Sequence, residues 1–448
     1  MKMGYWTDGG KRIGVLGLGR SGRAAAALLR RKGFTVVGLD SGSDVAECGD
    51  CSEVMIGDGD ILGSLEELDG LVISPGVDPR SAVPAAAGEL GIPLIGEIEL
   101  AFRNSDVPVL AVTGSNGKTT TAEWLAWTLR SAGLDAVAAG NTGYPYSTAV
   151  TERPEADMVS LEVSSYQLQT VETFRPAGAA ILNITPDHLQ RHGSIAGYLN
   201  AKARIFMNQH DDDVLVLNRD DAGSVPLFGR TSGLEWHFGI GDSVEAGAFA
   251  ENGVIYLSGS FGISRVMDAE ALSLPGEHNL SNALAVVCLA AKAGLEPERM
   301  VEGLSTFSGV SHRIEWIREL EGVSYINDSK STNPDSLKVA LNSFTRPVIL
   351  IAGGQAKDTD YSHLRPLIGE RVKGLILIGE ASETLSDSWS GTAPLWREGC
   401  MENAVARARR EAEPGDVVLL SPGCASFDQY ANFEERGEHY SKLVEELQ

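Results

Sequence analysis

The segment Thr113-Gly-Ser-Asn-Gly117-Lys118-Thr-Thr120 decides the fold class of the part of the chain around it. It follows an apolar run that predicts a buried strand over 107–112, and it precedes a stretch that predicts a helix over 119–132. Backbone N–H groups at a glycine turn and a helix start form a cradle for anions, a lysine can reach terminal phosphates, and a threonine hydroxyl can bind Mg²⁺. The general P-loop pattern needs Gly at 112, where Val112 stands, but the shortened G-x-x-G-K-T keeps the lysine and the hydroxyl. The segment predicts an ATP site formed by Gly114, Ser115, Asn116, Gly117, Lys118, Thr119 and Thr120.

A second glycine turn, Gly17-Leu-Gly19-Arg-Ser-Gly22, follows another apolar run near the start of the chain. Asp40 stands 18 residues beyond Gly22, at the end of the next predicted strand. Glycines let the backbone approach a pyrophosphate, and an acid at this place can accept ribose hydroxyls. Alone, the pattern is typical of a NAD-dependent dehydrogenase, or of a glycine turn that only packs a helix on a strand. Together with the P-loop it suggests two phosphorylated ligands in one reaction.

Apolar runs alternate with helical stretches through most of the chain, which predicts α/β units with parallel strands. At about 150 residues per domain, the 448 residues suggest about three domains. We expect an α/β protein with a Rossmann-like N-terminal domain (1–104), a central P-loop ATPase-like domain with a mostly parallel sheet (105–309), and a Rossmann-like C-terminal domain (310–448). A glycine-rich region over 212–274 is predicted to be more β-like.

The net charge of −24 argues against a nucleic-acid partner and against an anionic membrane surface. No apolar stretch approaches the length of a membrane span, and the first twelve residues lack the apolar core of a signal peptide, so we expect a cytoplasmic protein. Five cysteines are too few for a disulfide framework. Because Cys48-Gly-Asp-Cys51 has no second pair to complete a zinc site, we interpret it as two reduced loop thiols.

Polar motifs follow several of the predicted strands. Glu162 ends a strand that can lie beside the P-loop, where a carboxylate is a reasonable Mg²⁺ ligand. His188 and His192 are spaced i, i+4 but lack the glutamate of a zinc-protease helix. Taken singly, Asp187, His188 and Lys202 are better explained as a turn acid, a satisfied histidine and a solvated lysine, because such residues are common. Further motifs lie at 275–282, 311–316, 327–334, 353–357 and 421–433, and ligands bind at strand ends of this kind.

Taken together, these segments resemble the Mur ligase family of peptidoglycan synthesis. The resemblance is carried, in family order, by GSNGKTT (114–120), LEVSSYQL (161–168), NITPDHLQRHGS (183–194), HNLSN (278–282), FSGVSHRIEW (307–316) and NDSKSTNPDS (327–336). Ser74-Pro75-Gly76 and the tail SPGCASFDQYANFEERG (421–437) are similar to the branch that adds D-glutamate. Gln190, Gly423 and Tyr430 depart from the usual family residues, and none of them has an assigned role.

The resemblance implies an enzyme that uses ATP to join D-glutamate to UDP-N-acetylmuramoyl-L-alanine through an acyl phosphate. It implies that the N-terminal fingerprint binds a UDP-sugar and not NAD. The residues implied to hold the UDP-sugar are Gly17, Leu18, Gly19, Arg20, Asp40, Ser41, Ser74, Pro75 and Gly76. Those implied near the reacting end of the UDP-linked substrate are Asn141, Ser164 and His188.

The resemblance also assigns residues to ATP, to the amino acid and to two Mg²⁺ ions. Asn279, Arg313, Asp328 and Lys330 would contact ATP. Thr332, Lys357, Ser426 and Phe433 would contact D-glutamate. One Mg²⁺ would bind Thr119 or Thr120 and Glu162, and a second would bind His188 and a carbamate on Lys202. Lys118, His188 and Lys202 would be the catalytic residues.

Two other functions remain open from the sequence. A folylpolyglutamate-synthase-like ligase shares the ATP domain, but its first block should lack the glycine fingerprint. A nicotinamide-dependent oxidoreductase would follow from the N-terminal fingerprint taken alone. Phosphate release that depends on D-glutamate would favour the Mur-type ligase, and NADH oxidation would favour the oxidoreductase.

Overall fold

A computed structural model describes residues 6–7, 9–42, 48–141, 143–259, 262–356 and 360–448. Lys357, one of the predicted amino-acid ligands, lies outside the described residues. The chain divides into a first unit, residues 1–308, and a second unit, residues 309–448. Within the described residues, no helix combines the length and the hydropathy that crossing a bilayer requires.

The first unit begins with a five-stranded parallel sheet in the order β3-β2-β1-β4-β5. Buried apolar residues fill β1, β2 and β4, as expected for strands covered on both faces. The elements are β1 (Arg12–Leu16), α1 (Arg20–Arg31), β2 (Thr35–Asp40), β3 (Glu53–Ile56), α2 (Asp58–Ser64), β4 (Gly70–Ile73), α3 (Ala82–Glu89), β5 (Leu94–Gly96) and α4 (Glu97–Arg103).

A nine-stranded sheet follows in the same unit, in the order β14-β13-β12-β11-β10-β9-β6-β8-β7. Its strands are parallel except for the pairs β12–β13 and β13–β14, which lie in the glycine-rich region predicted to be β-like. The elements are β6 (Val109–Thr113), α5 (Lys118–Ser131), β7 (Ala136–Gly140), α6 (Tyr146–Glu152), β8 (Met158–Glu162), α7 (Ser165–Leu168), β9 (Gly178–Ile181), α8 (Leu189–His192), α9 (Ile195–Ala203), β10 (Val214–Asn218), β11 (Leu234–Ile240), β12 (Gly247–Glu251), β13 (Val254–Gly259), β14 (Gly262–Asp268), α10 (Glu277–Lys292) and α11 (Pro297–Thr306).

The two sheets of the first unit share one hydrophobic cluster. It runs from Ile13 and Val72 of the first sheet, through Ile98 and Leu100 of α4, to Leu161 of the central sheet. Such continuity is why residues 1–308 form a single compact unit. The proposed division of this unit near residue 104 falls between α4 and β6 and stays a prediction.

A buried carboxylate on α4 reinforces this shared core. The Glu99 carboxylate accepts hydrogen bonds from the backbone N–H groups of Glu172, Thr173 and Phe174, at 2.9–3.0 Å. Arg103 Nε donates to the same carboxylate at 2.7 Å. Burial opposes ionisation, but these bonds hold the pKa of Glu99 below its usual value. The helix that ends the first block is thereby tied to a loop of the central block.

The second unit is a six-stranded sheet in the order β15-β16-β20-β17-β18-β19, in which β15 is antiparallel to β16 and the other pairs are parallel. An apolar cluster covers each face of the sheet. The elements are β15 (Glu315–Leu320), β16 (Val323–Asn327), α12 (Pro334–Asn342), β17 (Val348–Gly353), α13 (Arg365–Arg371), β18 (Val372–Ile378), α14 (Ser382–Trp389), β19 (Leu395–Gly399), α15 (Met401–Glu411), β20 (Val417–Leu420) and α16 (Phe433–Glu445).

The predicted α/β class is confirmed, but four of the strands were not predicted from the sequence. β3, β15 and β19 are edge strands with several exposed positions, so they lack a continuous apolar run. The fourth, β7, reads Ala-Val-Ala-Ala-Gly, which has low β propensity. Tertiary pairing, rather than local pattern, makes these segments strands.

The glycines of the N-terminal turn have different structural roles. A Cβ on Gly22, inside α1, would lie 1.9 Å from the Gly17 carbonyl oxygen and 2.7 Å from Ser74 Oγ. A Cβ on Gly19, at the N-cap of α1, would meet nothing within 4 Å. Gly22 is therefore required for packing, whereas Gly19 leaves open space beside the helix start.

We expect Gly22→Ala to lower the thermal stability of the protein markedly, because the added methyl group must displace backbone. Overpacking of this kind typically costs about 1–3 kcal/mol. Gly19→Ala is the matched control in the same turn and should change stability by less than about 1 kcal/mol. Differential scanning fluorimetry of both variants measures the difference, and equal melting temperatures would contradict the packing role of Gly22.

Candidate active site

The phosphate loop joins β6 to α5, and the lysine at its end donates hydrogen bonds back to two of its carbonyl oxygens. Lys118 Nζ donates to the carbonyl oxygens of Gly114 and Ser115, both at 2.9 Å. Gly117 adopts a left-handed conformation with φ of 81°, and a Cβ there would come within 2.5 Å of Asn282 Oδ1. Conformation and close packing both require glycine at this position. Thr119 is buried in the first turn of α5, and Thr120 beside it is half-buried.

Asn183, which follows β9, holds the first half of the loop. Its carbonyl oxygen accepts from the backbone N–H of Ser115 at 2.9 Å, and its Oδ1 accepts from the N–H of Asn116 at 2.8 Å. Both residues belong to the predicted ATP site, and in this structure their amides donate to protein acceptors. Backbone N–H groups in the first turn of α5 point out of the helix, because a first turn has no intrahelical acceptors. The start of α5 is thus the part of the loop where we expect an anion to bind.

Glu162, at the end of β8, brings a buried carboxylate next to the loop. The strand register pairs it with Val112, one residue before the end of β6. Glu162 is 1% exposed, and its Oε1 accepts a hydrogen bond from Asn141 Nδ2 at 2.9 Å. Its Oε2 is buried and has no hydrogen-bond partner among the described residues. Such an oxygen suits a hard divalent cation, which prefers carboxylate ligands.

Lys202 reaches the same loop from α9. It is 1% exposed, and its Nζ donates to Gly114 O at 2.7 Å and to Thr113 Oγ1 at 3.3 Å. The Tyr198 ring lies under the amine, 4.6 Å from Nζ to the ring centroid. Burial, and secondarily the charge of Lys118, lower the pKa of Lys202 well below its usual value.

Tyr198 was not predicted as a site residue. It is buried, and its hydroxyl lies 3.2 Å from Ser115 Oγ, so it links the phosphate loop to the helix that carries Lys202. Its spacing of four residues from Lys202 on one helix face was the available signal.

Ser164 and His188 follow β8 and β9, the two strands that flank β6 in the sheet. The His188 ring is 47% exposed, with its Nε2 3.3 Å from Asp187 Oδ2 and its ring centroid 4.9 Å from that of Tyr166. Its backbone has a φ of 52°, which is uncommon outside glycine. Ser164 caps α7, where its Oγ accepts from the backbone N–H of Gln167 at 3.3 Å. The carboxyl ends of β9, β6 and β8 therefore lie beside Lys118, Glu162, Ser164 and His188, and α9 brings Lys202 to the same place through its bond to Gly114 O.

Polar side chains at the end of β2 and just after β4 bind the backbone of the N-terminal glycine turn. Asp40 Oδ2 accepts from the backbone N–H of Leu18 at 2.7 Å, and its Oδ1 accepts from that of Gly42 at 2.9 Å. Ser74 Oγ donates to Gly17 O at 2.5 Å. Asp40 and Ser74 therefore shape the glycine turn from neighbouring strands. The other predicted residues of this group are the exposed Ser41 and Gly76 and the half-buried Pro75.

Arg20 bonds outside its own turn. Its Nη1 donates to Gly143 O in the loop after β7 at 3.0 Å, a contact the sequence did not suggest. The predicted UDP-sugar residues and Asn141 are therefore joined through one loop of the first unit.

The predicted ATP residues are divided between the units. Asn279 lies in α10 of the first unit, where its Nδ2 donates to Pro275 O at 2.9 Å. Arg313, Asp328 and Lys330 lie in the second unit. Asp328 is 4% exposed, and its Oδ2 accepts from Ser421 Oγ at 2.7 Å. Burial raises the pKa of Asp328 to about 7.

The predicted amino-acid residues surround the carboxyl ends of β16 and β20. Ser426 is buried, Thr332 is half-buried, and Phe433 begins α16. Lys330 Nζ lies 5.7 Å from the centroid of the Phe433 ring. Lys330, Thr332, Ser426 and Phe433 thus occupy one edge of the second sheet.

A lysine-bearing glycine turn between a parallel strand and a helix, with a buried carboxylate on the adjacent strand, defines a nucleotide-binding α/β protein of the P-loop class. Comparison with protein-family models refines this class. The Mur ligase middle domain matches residues 112–290, and the Mur ligase, glutamate ligase domain matches residues 312–424.

Curated relatives extend the match to nearly the whole chain. The UDP-N-acetylmuramoylalanine–D-glutamate ligase of Caldanaerobacter subterraneus is 39% identical over 447 residues, covering 98% of each chain. The ligase of the same name from Salinibacter ruber is 42% identical over 450 residues, covering 97% of this chain and 98% of its own. The chain belongs to the Mur ligase family, which confirms the resemblance and the predicted enzyme class of ATP-dependent ligase.

Solved structures agree on the fold. MurF from Acinetobacter baumannii has a TM-score of 0.60 at 19% identity, covering 98% of this chain and 92% of its own. The UDP-N-acetylmuramate-alanine ligase of Thermotoga maritima has a TM-score of 0.57 at 16% identity, covering 97% and 99%. At these identities the likeness concerns architecture alone.

The buried Asp328 predicts a pH dependence of stability. Because its folded-state pKa is raised from 3.8 to about 7, the folded protein binds this proton more tightly than the unfolded chain does. The resulting stabilisation is complete below the unfolded pKa and is lost as the pH rises to about 7. We expect Asp328→Asn, which cannot titrate, to flatten the fall in melting temperature between about pH 4 and pH 7.

Asp387→Asn on the exposed face of α14 is the matched control and should keep the wild-type pH profile. Thermal unfolding across this pH range measures both variants. A slope for Asp328→Asn equal to that of the wild type would show that the Asp328 proton does not contribute.

Proposed function

We propose that this protein is the ligase that joins D-glutamate to UDP-N-acetylmuramoyl-L-alanine at the expense of ATP, in peptidoglycan precursor synthesis. The observation that carries the proposal is the convergence of Lys118, Glu162 and Lys202 on the phosphate loop of a Mur ligase fold. The names of the full-length relatives supply the substrates.

The chemical difficulty is electrostatic, because a substrate carboxylate must approach the γ-phosphate of ATP. At 4 Å, two unit charges repel by about 4 kcal/mol at an effective dielectric constant of 20, which corresponds to roughly a thousandfold in rate. Positive groups at the start of α5 offset this repulsion. Lys118, now bonded to its own loop, would turn to the phosphates, and the first-turn amides would hold the transferred group.

The reaction then has two steps. A carboxylate oxygen of the alanyl group forms a bond to the γ-phosphorus, and the bond from that phosphorus to the ADP oxygen breaks. The amine nitrogen of D-glutamate next attacks the acyl carbon, inorganic phosphate leaves, and the nitrogen loses one proton. The products are the amide, ADP and phosphate.

Two Mg²⁺ sites are part of the proposal. The unpartnered Glu162 Oε2 fits the first, together with a hydroxyl of Thr119 or Thr120. No cluster of three or more His, Cys, Asp or Glu side chains suited to a metal occurs in the described residues, so phosphate oxygens and water would complete the coordination. When bound, Mg²⁺ neutralises phosphate charge during transfer.

The second Mg²⁺ site would use His188 and Lys202. An ammonium group would repel the ion, whereas a carbamate provides anionic oxygens. The lowered pKa of Lys202 supports this modification, because a neutral amine can form a bond to the carbon of CO₂ and release one proton. The carbamate nitrogen keeps one N–H group, which can still donate to Gly114 O.

The first sheet would hold the UDP group at the turn shaped by Asp40 and Ser74. The second unit would supply Arg313, Asp328 and Lys330 to ATP, and Thr332, Ser426, Phe433 and Lys357 to D-glutamate. We also propose a cytoplasmic location, where small-molecule substrates of this kind are made and where the five cysteines, all free thiols, stay reduced.

A phosphate-release assay tests the proposed function. The purified protein receives Mg-ATP and UDP-N-acetylmuramoyl-L-alanine, with D-glutamate, L-glutamate or a diamino acid in parallel reactions. We expect phosphate release with D-glutamate and little with the other two. Lys118→Met should reduce the rate by about a hundredfold or more, as for loss of a group that stabilises the transition state. Release with the diamino acid alone would reject the assigned substrate.

We expect Lys202→Ala to lose most activity and to regain part of it with added formate, acetate or propionate, whose carboxylates can replace the carbamate. Lys202→Arg, which keeps a cation and cannot be carbamylated, should be inactive and resist this rescue. Lys32→Ala, an exposed lysine of the same unit, serves as the control. Full activity of Lys202→Ala without added acid would refute the role of Lys202.

A further inference from the structure

Arg436 is a buried arginine of the second unit. It lies in the first turn of α16 and is 1% exposed. All the hydrogen-bond acceptors of its guanidinium are neutral, and no carboxylate of the described residues lies within ion-pair distance of it. Burial lowers the pKa of Arg436 to about 10, so the group is still charged at neutral pH. An unpaired buried charge is costly and calls for a compensating role.

The guanidinium joins the loops that follow three adjacent strands. Its Nη2 donates to Ser329 O after β16 at 2.9 Å. Its Nη1 donates to Ala425 O after β20 at 3.2 Å, and makes a longer bond of 3.5 Å to Gly353 O at the end of β17. β16, β20 and β17 are neighbours in the sheet, so Arg436 stands at the edge where parallel sheets bind ligands.

These contacts lie next to the residues predicted to bind the amino acid. Ala425 precedes Ser426, and in a trans peptide the N–H of Ser426 points opposite to the Ala425 carbonyl, hence away from the guanidinium. Arg436 Nε donates to Ser329 Oγ at 3.0 Å, and Ser329 Oγ donates to Phe433 O at 2.8 Å. The Phe433 backbone and the Ser426 peptide are thus both oriented through Arg436.

We propose that Arg436 is a positioning and specificity residue for the amino-acid acceptor: it fixes the strand-end loops that contact the acceptor and provides the buried positive charge that attracts its carboxylates. The inference rests on the proposed function for the identity of the acceptor. The neighbouring acids Asp328 and Asp428 contribute only at longer range. A dicarboxylic amino acid can therefore bring a carboxylate towards a cation that has none within ion-pair distance among the described residues.

The test compares Arg436→Met, which keeps the length and removes the charge, with Arg436→Lys, which keeps the charge. Steady-state phosphate release gives KM for D-glutamate, for ATP and for the UDP-linked substrate. We expect Arg436→Met to raise KM for D-glutamate by about tenfold or more, with the other two constants changed less than about threefold. Arg436→Lys should recover part of the loss.

Arg409→Met is the matched control. Arg409 pairs with Glu321 before β16, at the opposite edge of the same sheet, and its loss should leave all three constants unchanged. If Arg436→Met does not fold, Ser329→Ala replaces it, and it should raise KM for D-glutamate selectively by severing the link to Phe433.

The outcomes separate the two proposals. Wild-type protein that releases no phosphate with D-glutamate refutes the proposed function. Active wild type with an unchanged KM for D-glutamate in folded Arg436→Met, or in Ser329→Ala when that variant stands in for it, refutes the role of Arg436 alone. An equal rise of all three constants also refutes it, since that pattern marks general loosening of the second unit.

Discussion

The Gly114 carbonyl oxygen accepts hydrogen bonds from two lysines, Lys118 at 2.9 Å and Lys202 at 2.7 Å. Burial is the main cause of the lowered pKa of Lys202, and repulsion between two ammonium groups so close together adds to it. The repulsion between the two lysines is removed if Lys118 moves to a phosphate or if Lys202 loses its charge. Both changes are steps that the proposed chemistry needs. Positive charge is thus concentrated at one loop of a chain whose net charge is −24.

The fold was largely predictable because its central strands are continuous apolar runs between glycine turns. β1, β6, β17 and β20 are buried along almost their whole length, as is typical of strands in a parallel sheet covered on both faces. Edge strands and the alanine-rich β7 were missed, since neighbours rather than local pattern determine their state. The core shared by the first two blocks could not be predicted from the sequence either, because it depends on contacts between α4 and distant loops.

The site was predictable where a motif has a local geometry, as in the turn from Gly114 to Lys118. The hydrogen-bond partner of each polar atom could not be predicted from the sequence. Asn183 accepts hydrogen bonds from the amides of Ser115 and Asn116, and Asp40 accepts one from the Leu18 amide. The folded chain brings these distant residues together. Arg436 lies in the tail motif, but its role was not predictable, since a sequence cannot show that a cation is buried among neutral hydrogen-bond acceptors.

The apolar cluster that runs through α4, with the Glu99 bonds beside it, has an evolutionary consequence. A recombination event that exchanged the first sheet for another nucleotide-binding module would have to import a matching hydrophobic surface and a correctly placed acid. Such exchanges should seldom survive. New acceptor preferences in this lineage would then arise by point substitution in the loops beyond the strands, where side chains change without disturbing the common core.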